Sequence, residues 1–162
     1  MVVFRGLDDP RLSPRPAAVA VGNFDGLHLG HRKILDRLCA TARARGLRSL
    51  VLTFAPHPER ALGRTRVRMI DTPEGRLARF RETCADAVVV TAFDPAFARL
   101  GCRAFVERVL RDTLGARDVV VGAGFRFGRN RRGGAAQGKE LGRGAGRRGP
   151  LVPPAPGGGR GL

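Results

Sequence analysis

Tryptophan and tyrosine are missing from this 162-residue chain, so nine phenylalanines supply all of its aromatic surface. Cysteine is scarce. Cys39, Cys84 and Cys102 show no CxxC or zinc-type spacing, which excludes a zinc ribbon and a disulfide-dense scaffold. The odd count and the lack of a disulfide framework point to a reducing compartment. Cys39 and Cys102 fall in helical patterns, where they read as small apolar side chains. No apolar run approaches the ~20 residues of a membrane span. The opening Met1–Asp9 lacks the apolar core of a secretory signal, so the expected location is the cytoplasm. Acidic residues are also few, 14 against 30 Lys and Arg, leaving a formal charge of +16. That balance favours anionic partners such as nucleotides, nucleic acid or an acidic surface. An arginine excess also arises from GC-rich coding without any function.

What is present divides into two unequal parts. Hydrophobic residues make up 43% of the chain, enough for one domain with a core. Apolar periodicity is regular up to about Arg131. Beyond it, the 32 residues Arg131–Leu162 hold 11 Gly, 4 Pro and 7 Lys or Arg against the single acid Glu140. Three leucines and one valine there are too few to bury a core, so residues 133–162 read as a disordered tail. The tail lacks interleaved aromatics on which bases could stack, which argues against a nucleic-acid partner.

Residues 1–132 alternate strand and helix. Apolar runs at Ala17–Val21, Arg48–Phe54, Ala87–Thr91 and Asp118–Gly122 predict strands. Helices are predicted over Gly30–Arg45, ended by Gly46, over Pro73–Thr83 with Thr72 as N-cap, and over Arg103–Leu114. Near-continuously apolar strands separated by helices predict an α/β fold, a Rossmann-like parallel sheet with helices on both faces. Ligands of such sheets bind beyond the carboxyl ends of the strands. The three richest polar clusters all follow strands: Gly22–His31, Thr53–Glu59 and Gly122–Asn130.

The first cluster reads Gly-Asn-Phe-Asp-Gly-Leu-His-Leu-Gly-His. Gly22 and Gly26 permit tight turns and close approach of backbone to a ligand. Gly30 opens a helix whose free amides attract phosphate. His28 and His31 flank that entry and can donate to phosphate oxygens, as phosphoryl and nucleotidyl transfer require. Two histidines satisfied by local backbone groups are the plainer alternative. No third ligand supports a zinc site.

These residues resemble the signature of the nucleotidyltransferase superfamily marked by an HxGH motif. Within it the chain resembles the bacterial FAD synthetases, the adenylyltransferase module of bifunctional riboflavin kinase/FAD synthetases. Thr53-Phe-Ala-Pro-His-Pro58 is similar to that family's second motif, Phe93–Ala98 with Phe105-Val106 to its middle region, and Val121–Gly128 to its GxxFxFG motif. The likeness covers about residues 17–132. It implies transfer of AMP from ATP to FMN, giving FAD and pyrophosphate, with Mg2+ accompanying ATP. It further implies that His28 and His31 are catalytic, and that Gly22, Asn23, Phe24, Asp25, Gly26 and Gly30 help bind ATP. Asp25 serves equally well as a turn-former. By the same resemblance Phe54, Pro56, His57, Pro58, Gly122, Phe125, Arg126 and Phe127 would border the flavin. His57, Phe125 and Phe127 each have a purely structural alternative, and Arg126 a solvated one. No protein metal ligand is assigned.

Two departures qualify the resemblance. The family usually has Asp or Asn where Gly124 stands, and it continues after about residue 132 with a strand, a helix and a Ser/Thr-x-x-Arg motif. No serine or threonine follows Thr113 here. A riboflavin kinase domain usually follows as well and is not found in these residues. The tail is thus a frameshift product, a natural shortening or an interaction segment. An incomplete C-terminal half would leave adenylyl transfer weak or absent. The alternatives to FAD synthesis are another HxGH nucleotidyltransferase and an inactive fragment that only binds nucleotide.

Overall fold

The computed structural model describes residues 1–24, 29–55 and 72–122. In chain order they form β1 (Val2–Phe4), β2 (Ala17–Val21), α1 (Leu29–Arg45), β3 (Arg48–Phe54), α2 (Pro73–Arg81), β4 (Ala87–Thr91), α3 (Pro95–Ala98), α4 (Cys102–Ala104), a π-helical segment (Phe105–Thr113) and β5 (Ala116–Val120). The five strands make one all-parallel sheet in the order β1-β4-β3-β2-β5.

Every residue of β2 is buried, as expected of a strand covered on both faces. On one face Val19, Val21, Leu50, Leu52 and Val89 pack against Phe105, Val106, Val109 and Leu110. On the other, Ala18, Ala20, Val51 and Val88 meet Ile34, Leu35 and Leu38 of α1 and Phe80 of α2. The Rossmann-like arrangement with helices on both faces is therefore present. The predicted bounds of β2, β3 and β4 coincide with those observed.

Helix ends follow their local chemistry. Thr72 caps α2, its hydroxyl accepting the Gly75 amide at 3.0 Å with proline in the first turn. Gly46 closes α1 at φ +64°, and the Leu47 amide returns to the Ala42 carbonyl at 2.9 Å, the pairing of a Schellman end. Arg43 and Arg45 occupy the last turn, where they complement the helix dipole.

Several expectations are corrected. β1 was not foreseen, because three residues are too few for a periodic signal; pairing with β4 orders them. The last strand runs over Ala116–Val120 rather than Asp118–Gly122. It pairs with β2 through a register irregularity beside Ala17, so Ala116 and Asp118 face Ala17 and Ala18. The buried Asp118 carboxylate, inside the strand rather than at its start, is paired with Arg45 from the end of α1. The third helix is largely π-wound, with the Leu114 amide bonded to the Val109 carbonyl. The wider winding gathers positions 105, 106, 109 and 110 onto a narrower stripe than an α-helix would. α2 stops at Arg81 rather than Thr83.

The reading of Cys102 as a small apolar side chain holds, since it packs against the core, but that of Cys39 is overturned. Cys39 of α1 and Cys84, just past α2, form a disulfide with Cα atoms 6.2 Å apart, and Cys102 is free. Both helices lie on one face of the sheet, so a separation of 45 residues closes in space. The argument for a reducing compartment loses its premise. On the chain-entropy account such a cross-link contributes about 4 kcal/mol. Protein denatured without reductant is expected to titrate one thiol per chain, that of Cys102. A count of three would show that the pair is open in solution.

Candidate active site

At β2 the strand order turns back: β3 lies on one side and β5, the last strand among the described residues, on the other. Ligands of open α/β sheets bind at that point. Val21 is level with Leu52, and Ala20 with Val120. Gly22, Thr53 and Gly122 are therefore the next residues out at one level of three neighbouring strands. The first residues of the three polar clusters thus stand side by side at the end of the sheet.

Gly22, Asn23 and Phe24, which follow β2, are tightly held. The Gly22 amide donates to the Leu52 carbonyl at 3.1 Å. A Cβ on Gly22 would stand 3.1 Å from the Phe24 ring, so glycine lets that ring fold back. Phe24 adopts φ +53°, a left-handed conformation uncommon outside glycine. Its ring is fully buried, edge-on to His31 at 5.3 Å and to Phe80 at 5.6 Å between centroids. The Asn23 carbonyl accepts two donors, the Thr53 hydroxyl at 3.1 Å and Arg76 Nη1 at 2.9 Å.

The N-terminus of α1 follows. Its first turn contains no acidic residue, Gly30 is buried, and His31 is 3% exposed. The opening amides of a helix have no intrahelical acceptor and favour an anion. A buried histidine with its ring set by an aromatic neighbour is oriented before any substrate arrives.

Of the residues expected at the site, Gly22, Asn23, Phe24, Gly30 and His31 come together around the end of β2. With its ring buried, Phe24 can offer a ligand only its backbone. Phe54 ends β3 at 4% exposure, with its ring against Phe93 at 5.7 Å and Phe97 at 5.5 Å. Gly122 is buried just beyond β5. Asp25, Gly26, His28, Pro56, His57, Pro58, Phe125, Arg126 and Phe127 lie outside the described residues. Arg76 and Phe80 of α2 went unnoticed, because in sequence they look like ordinary members of an amphipathic helix. Also unforeseen is a cavity of about 620 Å³ at the carboxyl ends of β1, β3 and β4, bordered by Arg5, Asp8, Ala55, Thr91, Asp94 and Phe97. No three His, Cys, Asp or Glu side chains cluster to hold a metal among the described residues.

The profile of one protein family, described as FAD synthetase, matches residues 11–156. The chain belongs to the FAD synthetase family. The match runs past residue 132, where the motif-based resemblance stops. The chain is 37% identical over 140 residues to the bifunctional riboflavin kinase/FMN adenylyltransferase of Pseudomonas fluorescens, covering 81% of this chain and 42% of that one. It is 33% identical over 141 residues to the protein of the same name in Escherichia coli K12, covering 82% and 43%. A putative bifunctional riboflavin kinase/FMN adenylyltransferase of Geobacillus thermodenitrificans is 36% identical over 120 residues, covering 74% and 65%. The chain spans about half the length of the curated relatives it matches. A solved structure titled a macrolide-efflux protein from Streptococcus pneumoniae superposes at TM-score 0.75 and 22% identity, over 87% of this chain and 47% of that one; that likeness is one of fold. Among the described residues, no helix of this FAD synthetase family member is long and apolar enough to cross a membrane.

Proposed function

We propose that this FAD synthetase family chain binds ATP and FMN and transfers AMP from the one to the other. A phosphate oxygen of FMN attacks the α-phosphorus of ATP, the bond from that phosphorus to the bridging oxygen breaks, and pyrophosphate leaves. The observation that carries the reading is that Gly22, Thr53 and Gly122 stand level at the ends of β2, β3 and β5, where strand order reverses, with His31 in the first turn of α1.

In this reading His28 and His31 donate to the phosphate oxygens on which charge grows, and the α1 amides hold the polyphosphate. Gly22, Asn23, Phe24, Asp25, Gly26 and Gly30 shape the ATP side. Phe54, Pro56, His57, Pro58, Gly122, Phe125, Arg126 and Phe127 shape the flavin side. The cavity beside Ala55, with Val90, Phe97 and Leu100 in its wall, is large enough for a tricyclic ring. Mg2+ enters as part of the substrate, held by the phosphates of ATP. Residues 1–132 form the transferase domain and 133–162 a tail outside it.

Calorimetry with ATP and with FMN, and chromatography for FAD after incubation with both and Mg2+, test the reading. Binding of each and FAD formation, however slow, are expected. Failure to bind either substrate would remove the reading.

A further inference from the structure

Arg76 is 4% exposed, a degree of burial that arginine tolerates only when its donors are matched. Two of its nitrogens reach across the ends of neighbouring strands. Nη1 donates to the Asn23 carbonyl at 2.9 Å and Nη2 to the Phe54 carbonyl at 2.7 Å. The first carbonyl belongs to the loop that leads to His28 and His31. The second belongs to the last residue of β3, after which the chain runs to Pro56, His57 and Pro58. One planar, rigid guanidinium thus spans the starting points of the two loops assigned to ATP and to FMN, a geometry lysine cannot reproduce.

The rest of the α2 face acts on the same loop. Phe80, one turn beyond Arg76, packs its ring against Phe24, and Phe24 packs against His31. The left-handed backbone at Phe24 is held from both sides, by the grip on the Asn23 carbonyl before it and by the buried ring. The side chain of Thr53, level with Gly22, adds the second donor to Asn23.

We propose that Arg76 is a positioning residue that sets the spacing of the ATP loop against the FMN loop, so that the attacking phosphate of FMN meets the α-phosphorus of ATP. In this role it acts through the two carbonyls it holds. The proposal rests on the adenylyl-transfer reading above. A misplacement of about 1 Å between reactants can lower a rate by about 10²-fold without weakening binding to match.

The test is Arg76→Lys in the full chain, with kcat and KM for FAD formation measured well below the melting temperature followed by circular dichroism. The expected result is a folded protein whose kcat falls at least 30-fold while KM for ATP and for FMN stays within about threefold. A lowered melting temperature with kcat within threefold of wild type would make Arg76 structural only and overturn the proposal. If Arg76→Lys does not fold, Thr53→Val decides, because it removes the other donor to Asn23 at nearly constant volume. A kcat loss of threefold or more with KM unchanged supports the positioning role, and an unchanged kcat overturns it. Wild-type protein that binds neither ATP nor FMN would instead sink the adenylyl-transfer reading, and this proposal with it.

Discussion

Replacing His31 with alanine is expected to lower the rate of FAD formation by about 10²–10³-fold, the usual loss when a preorganised donor to developing charge is removed. His31 lies in the first turn of α1, beside amides that favour anions. Its ring is held by the fully buried Phe24 at 5.3 Å, so its direction is set by the fold itself. Burial raises the competing possibility that His31 only fills space. His31→Asn separates the two, since it keeps polarity and part of the volume but neither the imidazole donor nor its reach. Product formation quantified by chromatography, beside thermal melts of each variant, is the measurement. A rate that tracks stability alone, with both variants active at temperatures where they are folded, would assign His31 to packing.

Gly115→Ala is expected to destabilise the fold by about 3 kcal/mol or more, combining backbone strain with overpacking. For a chain of this size that lowers Tm by about 10 °C. Gly115 links the π-helical segment to β5 at φ +67°, its amide returning to the Arg111 carbonyl at 3.1 Å. A Cβ there would lie 2.4 Å from the Arg15 carbonyl oxygen and 2.6 Å from Pro14 backbone atoms. The Pro14–Pro16 backbone carries the chain into β2, so relief would disturb the two strands that flank the site. Gly46 provides the contrast. Its φ of +64° is nearly the same, but a Cβ there meets nothing within 4 Å, so Gly46→Ala should cost only about 1 kcal/mol. Melting curves for the two variants check the difference, and equal losses would show that crowding at Gly115 is relieved without penalty.

Much of this architecture is legible in the chain. Short apolar runs located β2, β3 and β4, because strands buried on both faces are apolar along most of their length. Thr72-Pro73 marked the start of α2 and Gly46 the end of α1, since caps are local chemistry. The histidine-glycine cluster was legible for the same reason: phosphate binding at a helix entry needs glycines and donors close together in sequence. β1 was not legible, being three residues ordered only by β4. Nor was the π winding, whose buried positions also fit an α-helix.

By itself the sequence determined the fold class and the strands at the centre of the sheet, both of which depend on neighbours within a few residues. Only the tertiary structure decided how those loops are held. The buried Phe24 wedge, the reach of Arg76 to carbonyls 53 and 22 residues away, the Arg45–Asp118 pair and the Cys39–Cys84 bond join segments that no local pattern relates. They form because stacking α1 and α2 on one face of a parallel sheet brings those segments into contact.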